Sequence, residues 1–233
     1  MNGDPIAIEN QRLEIRLLLE AIYQRSGHDF RGYASAHLKR RLDHVRARNR
    51  LESFCEMIHK LIYEPPFFEE VLSALSINVT EMFRDPGFYR SVRESVVPHL
   101  KTYPFIKVWH AGCAAGQEVY SMAILLKEEG MLGRAQIYGT DINLPVLETA
   151  RRGIYPLEAV RQYTTNYQKA GGAASFADYY TAGYDSVALS ADGKKNVLFS
   201  PHNLVTDGIF GEMHMIFCRN VLSDMEPSRR ARV

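Results

Sequence analysis

An acidic residue and a pair of glycines follow two consecutive apolar segments in the middle of the chain. Gly112 and Gly116 lie in a loop of small residues directly after the apolar segment 105–109. Small side chains there would let the backbone approach a ligand closely. Asp141 ends the next apolar segment, where an acid can accept hydrogen bonds from both ribose hydroxyls of an adenosine-type cofactor. A tight turn followed by a helix capped by Asp141 is the structural alternative, but the glycines and the acid together favour a nucleoside site.

The same loop indicates which nucleoside cofactor would bind. A dinucleotide site prefers three glycines in the pattern GxGxxG, but Ala115 stands at the third position. Glu118 lies in the first turn of the expected helix, where its charge would repel a pyrophosphate but could bind the ammonium group of a methionine-like ligand. The loop therefore favours S-adenosylmethionine over NAD, with a nicotinamide dehydrogenase as the weaker alternative. Glu118 could also simply complement the helix dipole.

The elements that must position these residues follow from the spacing of apolar side chains. Residues 11–75 show the spacing of amphipathic helices. Asp85 followed by proline predicts a helix start with Asp85 as the N-cap, and Pro98 predicts the end of that helix. We divide the chain into a helical domain (1–77), an interdomain linker and helix (78–104), and an α/β domain (105–233).

The α/β domain begins where the pattern changes near Ile106. The predicted elements are strands at 105–109, 135–138 and 213–218, helices near 118–129 and 144–152, and short antiparallel strands within a β-subdomain at about 177–200. The succession of strand, helix and strand predicts a βαβ unit and hence a parallel sheet. Asp192-Gly193 predicts a turn between two of the short antiparallel strands.

The composition excludes several classes of protein. The 28 Lys+Arg and 27 Asp+Glu residues leave a net charge of +1, which argues against a general nucleic-acid binder. No apolar run approaches the ~18 residues that a membrane span needs. The 3 cysteines are odd in number and form no CxxC, so they exclude a disulfide scaffold and fit a cytoplasmic protein. The 8 histidines show no metal-ligand spacing, so no metal is expected.

A basic segment lies in the helical part of the chain. His37, Arg41, His44 and Arg48 fall on one face of the expected helix. This face is either only solvated, or it docks on an acidic, glutamate-bearing helix of a partner through Arg41, His44 and Arg48. RNA binding is the weaker alternative because the aromatic residues expected of a stacking surface are missing.

Five sequence motifs occur in an order that points to one family. They are NVTEMFRDP at 78–86, WHAGCAAGQEVYS at 109–121, TDI at 140–142, HNL at 202–204 and CRNV at 218–221. In this order they resemble the CheR-type chemotaxis receptor methyltransferases, over nearly the whole chain. The resemblance implies an α/β fold in which an N-terminal helical domain precedes a Rossmann-like S-adenosylmethionine-dependent methyltransferase domain with a small antiparallel β-subdomain insertion.

The resemblance also implies an activity and the residues that serve it. S-adenosylmethionine would donate a methyl group to glutamate side chains on the cytoplasmic helices of chemoreceptors, giving methyl esters and S-adenosylhomocysteine. The implied cofactor-binding residues are Asn78, Thr80, Arg84, Gly112, Gly116, Glu118, Asp141, Asn203, Leu204, Arg219 and Asn220. Glu118 would hold the ammonium group and Asp141 the ribose. Arg84 and Arg219 would act in catalysis by holding a carboxylate of the substrate or of the cofactor.

The sequence departs from the family pattern near its C-terminal end. Asp224 stands where the family commonly has an active-site tyrosine, and at close range it would repel a carboxylate substrate by on the order of 1–4 kcal/mol. A cofactor-binding or receptor-docking module with little catalysis is therefore the alternative function. The sequence ends at Val233, before the elements that usually complete such a sheet. We therefore expect an uncovered sheet edge through which two chains could pair.

Overall fold

A computed structural model of the chain describes residues 5–26, 30–31, 35–75, 80–204, 207–208 and 210–221. The contacts between residues divide the chain into two compact units, of which the second comprises Asn78–Arg219. Each unit has its own hydrophobic core. None of the helices in the described ranges has the length and apolar character needed to cross a membrane.

Four helices form the described part of the first unit. They are α1 (Pro5–Ser26), α2 (Ser35–Arg48), α3 (Phe54–Tyr63) and α4 (Pro65–Leu75). Their apolar faces form one core, in which Leu42 and Leu61 are fully buried. Helix α3 begins where the Ser53 hydroxyl accepts a hydrogen bond from the Glu56 amide (3.2 Å). Helix α4 begins at Pro65, because the first helical position needs no N–H group. The predicted helical fold of this part is confirmed.

A parallel sheet of four described strands forms the centre of the second unit. Its strands are β1 (Ile106–Ala111), β2 (Ala135–Asp141), β6 (Val197–Pro201) and β7 (Met215–Phe217), and their order is β6-β2-β1-β7. Ala111 pairs with Thr140 and Asp141 pairs with Pro201, so the carboxyl ends of the strands meet at one edge. Ligands of open parallel sheets bind outside this edge.

Helices and helical turns complete the second unit. They are α5 (Pro86–Ser91), a π-helical turn (Val92–Val96), α6 (Val97–Leu100), α7 (Gln117–Glu128), α8 (Leu144–Arg152), α9 (Val160–Lys169) and α10 (Ala191–Lys194). Helix α7 connects β1 to β2 and is buried continuously from Val119 to Leu126. The predicted βαβ unit is confirmed, and its connecting helix fixes the position of the loop that precedes it.

A small antiparallel sheet accompanies the parallel one. Its strands β3 (Ile154–Pro156), β4 (Tyr180–Ala182) and β5 (Ser186–Leu189) have the order β3-β5-β4. The predicted β-subdomain at 177–200 differs from it in three respects. Strand β3 joins from outside the segment, residues from 197 onward belong to the parallel sheet, and Asp192-Gly193 lies in the short helix α10 rather than in a strand turn.

Two local predictions near the start of the second unit have different outcomes, and the one for Pro98 is wrong. The helix does not end before Pro98, because the π-helical turn leads directly into α6, of which Pro98 is the second residue. Proline is tolerated there because N–H groups in the first turn of a helical segment can go unpaired. Asp85 occupies the predicted N-cap position directly before Pro86, so the predicted helix start is confirmed. Its backbone is nevertheless left-handed (φ 58°), and its side chain makes no capping hydrogen bond.

Strand β7 occupies the centre of the predicted segment 213–218 and is only partly buried. Phe217 is buried, but Ile216 is 56% exposed. The reason is that β7 pairs with β1 on one side only within the described residues.

Candidate active site

The loop between β1 and α7 has an unusual backbone conformation. Gly112 (φ 71°), Ala114 (φ 47°) and Gly116 (φ 86°) all lie in the left-handed region. For alanine this conformation costs on the order of 1–2 kcal/mol, so something must hold it. Two backbone hydrogen bonds do so: Cys113 N donates to Thr140 O (2.8 Å) and Gly116 N donates to Cys113 O (3.0 Å). The loop is therefore tied to the end of β2.

Asp141 fixes this loop through its side chain. Its Oδ2 accepts a hydrogen bond from Ala114 N (2.9 Å), and its Oδ1 accepts one from Asn143 N (2.9 Å). The residue that directly precedes helix α8 is Asn143. Asp141 therefore does not cap this helix, contrary to the alternative interpretation of Asp141. Each carboxylate oxygen can accept more than one hydrogen bond. Asp141 can thus hold the loop and still accept hydrogen bonds from a ligand.

Gly116 serves close packing as well as the turn. A Cβ atom there would lie 2.9 Å from Ala150 Cβ and 3.1 Å from Phe199 Cζ. Residues of α8 and β6 fill the space on that side of Gly116 and leave no room for a ligand there. The role of Gly112 and Gly116 toward a cofactor stays a prediction, while the packing role of Gly116 is a finding that the sequence did not indicate.

A chain of polar and charged side chains lies beside the loop. Glu118 Oε1 is 2.9 Å from His110 Nδ1, and Glu118 Oε2 is 3.3 Å from Arg219 Nη1. Arg219 Nη2 lies 2.5 Å from Asp85 Oδ2, and its guanidinium lies 4.2 Å from the centre of the Phe88 ring. Glu118 and Arg219 have side chains that are each 18% exposed. Coulomb attraction is stronger in such partly dry surroundings than at the open surface.

The strand order brings this cluster together. Helix α7, which begins just after the loop, carries Glu118, and Arg219 follows β7, the neighbour of β1 in the sheet. The sequence singled out Glu118 and Arg219 but did not place them in contact. It also did not indicate His110, which is fully buried on β1.

The segment before α5 packs against the start of α7. Phe83 (φ 52°) and Asp85 (φ 58°) are both left-handed, and Phe83 N donates to Ser121 Oγ (2.8 Å). The backbone oxygen of Arg84 lies 3.4 Å from Arg219 Nη1. Strained backbone of this kind is concentrated at functional sites. Thr80 is half-buried in the same segment, while the predicted site residue Asn78 lies outside the described residues.

Aromatic side chains surround the carboxyl end of β6. His202 N donates to Asp141 O (3.1 Å), which places the predicted adenine-flanking pair Asn203 and Leu204 just beyond the Asp141 strand end. Trp109 makes edge contacts with His202 and Phe210, with ring centres 5.5 Å and 4.9 Å apart. Asn203 and Asp207 hold each other, because Asn203 N donates to Asp207 Oδ2 (2.8 Å) and Asp207 N donates to Asn203 O (2.9 Å).

The cysteines near the site are not poised as nucleophiles. Burial, followed by the charge of Asp141, raises the pKa of the Cys113 thiol well above its ordinary value. Burial, followed by the charge of Glu118, also raises the pKa of Cys218. Both therefore remain protonated thiols near neutral pH, whereas covalent catalysis needs the thiolate.

The remaining predicted residues belong to the first unit. Asn220 is exposed and left-handed (φ 57°), a conformation that asparagine tolerates. In helix α2 of the first unit, Arg41 Nη1 donates to Leu75 O (2.7 Å) and so caps the end of α4. His44 and Arg48 are exposed, and Arg48 lies 3.6 Å from Glu70. The side chain of His37 is outside the described part.

The donor set fits a cationic adenosine compound. Asp141 is the residue predicted to hold a ribose, and Glu118 offers a negative charge that could hold a methionine-like ammonium group. A pyrophosphate would meet Glu118 and be repelled. With the parallel sheet and its small antiparallel companion, these residues define a Rossmann-like S-adenosylmethionine-dependent methyltransferase domain.

Comparison with known proteins identifies the family within this class of methyltransferases. The family described as "CheR methyltransferase, SAM binding domain" matches residues 78–233, and the one described as "CheR methyltransferase, all-alpha domain" matches residues 13–76. The chain belongs to the CheR methyltransferase family, and S-adenosylmethionine is its cofactor. The predicted family, fold class and cofactor are confirmed.

Three relatives illustrate the similarity. Cher3 of Pseudomonas putida, assigned as a methyltransferase, is 47% identical over 213 residues, which cover 91% of this chain and 78% of Cher3. A chemotaxis protein methyltransferase of Listeria innocua is 25% identical over 84% of this chain and 72% of its own. Chemotaxis protein methyltransferase 2 of Pseudomonas aeruginosa is 31% identical over 74% of this chain and 62% of its own.

Proposed function

We propose that this chain transfers the methyl group of S-adenosylmethionine to glutamate side chains of chemoreceptors, forming methyl esters in chemotaxis-type signalling. The carrying observation is that Asp141 and Glu118, two acids on different elements, lie at the same edge of the parallel sheet, each with its carboxylate held by hydrogen bonds. Relatives named as chemotaxis protein methyltransferases support the proposal that the substrate is a chemoreceptor.

The chemistry requires little of the protein beyond orientation. A glutamate side chain has an ordinary pKa of about 4.3, so it is ionised at neutral pH and needs no general base. Bound S-adenosylmethionine supplies an activated methyl group on a sulfonium. The protein has to align the attacking oxygen with that methyl group and exclude water, which can contribute roughly 7–11 kcal/mol in favourable cases.

Each residue of the site has a proposed task. Asp141 holds the ribose, Glu118 holds the ammonium group, and Asn203 and Leu204 flank the adenine. Arg219 already contacts Glu118 and Asp85, so we assign it to the cofactor side of the site. Arg84 is the candidate to hold the carboxylate of the substrate or of the cofactor. Thr80 and Asn78 would cover the cofactor.

Asp224 supports a second candidate function. An aspartate in place of the family's tyrosine would repel a carboxylate substrate, which favours a cofactor-binding or receptor-docking module with little catalysis. Replacing Asp224 with tyrosine tests this interpretation, and a higher yield of methyl ester is the expected result. The yield of methyl ester from the wild-type chain separates the two candidates.

Two measurements test the proposal. Calorimetric titration with S-adenosylmethionine and S-adenosylhomocysteine should show binding of both. Incubation with S-adenosylmethionine and a receptor fragment should then form methyl esters on the receptor, and these base-labile esters release methanol when alkali is added. Binding without any ester would favour the docking module, and a wild-type chain that binds neither compound would contradict both functions.

A further inference from the structure

We propose that His110 is a positioning residue for Glu118 and that it sets the affinity for the methionine part of the cofactor. Its imidazole holds one oxygen of the Glu118 carboxylate so that the remaining lone pairs face the ammonium group of the ligand. The inference rests on the role proposed above for Glu118.

The position of His110 is unusual for a polar side chain. It occupies the fifth residue of β1 and is fully buried, in a strand whose neighbours on both sides belong to the same sheet. Central strands of parallel sheets are normally apolar, and a buried polar side chain has to be hydrogen-bonded. A histidine there therefore needs a reason beyond filling space.

Packing fixes the orientation of the ring. The imidazole of His110 stacks on Phe217 with ring centres 4.3 Å apart and an angle of 15° between the planes. Phe217 is directly paired with His110 in the β1–β7 register. The ring therefore cannot rotate away from Glu118 without disturbing two neighbouring strands.

The contact with Glu118 assigns the proton on the ring. Glu118 Oε1, 2.9 Å away, is an acceptor when the carboxylate is ionised, so Nδ1 carries the hydrogen and donates it. His110 Nε2 has no hydrogen-bond partner within the described residues. The Nδ1–H···Oε1 bond is thus the hydrogen bond that the described residues give to this buried side chain.

The hydrogen bond keeps Glu118 from closing onto Arg219. Arginine and carboxylate prefer a bidentate pair in which both oxygens are used. Here Arg219 contacts Oε2 at 3.3 Å, while His110 contacts Oε1. Without the imidazole, Glu118 is free to turn both oxygens toward Arg219. The carboxylate would then be neutralised inside the protein and would attract an ammonium group less strongly.

Two ligands and three variants test the inference by binding alone. S-adenosylhomocysteine carries the ammonium group, whereas 5′-methylthioadenosine is a similar nucleoside without the amino-acid part. We expect His110→Leu to weaken S-adenosylhomocysteine about tenfold and to leave 5′-methylthioadenosine unchanged. His110→Asn keeps an N–H donor near the place of Nδ1 and should restore most of the affinity. His110→Gln places its N–H donor farther from the main chain than Nδ1 and should not restore the affinity.

The pattern of losses decides the outcome. Equal losses for both ligands, or no loss for either, would overturn the inference, as would equal affinities of the Asn and Gln variants. If His110→Leu does not fold, the comparison of Asn with Gln gives the same test. A wild-type chain that binds S-adenosylhomocysteine yet forms no methyl ester would contradict the proposed function and leave the role of His110 intact.

Discussion

The backbone amide of Ala114 donates a hydrogen bond of 2.9 Å to Oδ2 of Asp141, which joins the loop after β1 to the end of β2. The amide comes from a non-glycine residue in the left-handed region, so the carboxylate stabilises a strained conformation. One side chain thus shapes the loop and presents an acid at the same place. Loss of Asp141 should therefore affect both the conformation of the loop and the binding of a ligand.

Replacing Asp141 with alanine should weaken binding of S-adenosylhomocysteine at least about tenfold. The variant loses the proposed acceptor for the ribose and also the hydrogen bonds from Ala114 N and Asn143 N. Calorimetric titration measures the effect. Asp185→Ala, at an exposed aspartate of the small sheet, is the matched control and should bind as the wild type does. An unchanged affinity of Asp141→Ala would show that the ribose is held elsewhere.

A methyl group at Gly139 should destabilise the second unit. A Cβ atom there would lie 2.6 Å from Cε1 of Phe199 and 3.0 Å from Cγ2 of Val119. Because a packed core does not yield freely, we expect Gly139→Ala to lower the free energy of unfolding by about 1–3 kcal/mol. Urea denaturation measures it. Gly133→Ala is the control, since nothing lies within 4 Å of its Cβ position. Similar losses of unfolding free energy in both variants would contradict the close packing around Gly139.

Glu128 should make the stability of the second unit depend on pH. Burial raises the pKa of its carboxyl, but hydrogen bonds from Tyr167, Arg93 and Tyr179 together outweigh burial, so the pKa lies below its ordinary value of 4.5. The side chains of Arg93 and Glu128 are only 10% and 6% exposed. Breaking such a buried pair with Glu128→Gln should cost about 3 kcal/mol at pH 7.

The sign of the pH effect follows from the lowered pKa. A carboxyl that ionises more readily in the folded chain stabilises it above the unfolded pKa, and this stabilisation is lost as the pH falls through the folded pKa. The stability difference between the wild type and Glu128→Gln should therefore be constant near neutrality and shrink below about pH 4.5. Glu148→Gln, at an exposed ion pair with Arg151, should cost less than about 1 kcal/mol. A difference that grows on acidification would refute the assignment.

Charge reversal at Arg48 should weaken docking on a receptor without affecting the cofactor. Arg48 is 72% exposed on α2, whereas Arg41 is engaged in capping α4. We expect Arg48→Glu to weaken binding of an acidic receptor helix several-fold at low salt, with a smaller effect at about 0.15 M salt because of screening. Arg12→Glu reverses an exposed charge on α1 and serves as control. Equal losses in both variants would indicate a net-charge effect rather than a docking face.

The sequence predicted most reliably the elements whose ends carry strong local signals. Helix α8 occupies the predicted residues 144–152, and its ends carry such signals, since Pro145 lies in its first turn and Gly153 (φ 60°) follows its last residue. The helix end at Pro98 was predicted wrongly, since a π-helical turn precedes α6 and places Pro98 in the first turn of α6, where a proline is tolerated. Asp192-Gly193 likewise suggested a strand turn but lies in a helical turn.

The site could be predicted as a set of residues but not as a network. Glu118 and Asp141 stand at positions whose chemistry follows from the βαβ unit. The contact of Glu118 with Arg219 depends on the order of strands, which places β7 beside β1 and brings together residues far apart in the chain. A single histidine in a buried strand carries no pattern, so His110 could only be found once its neighbours were known.

The central claim is methyl transfer to receptor glutamates, and one assay tests it most directly. The chain is incubated with S-adenosylmethionine labelled in its methyl group and with a cytoplasmic receptor fragment, and methanol released by alkali is counted. We predict base-labile label on the receptor, which disappears when the receptor glutamates are replaced by alanine and falls strongly with Asp141→Ala. A chain that binds the cofactor but leaves no base-labile label on the receptor would contradict the account.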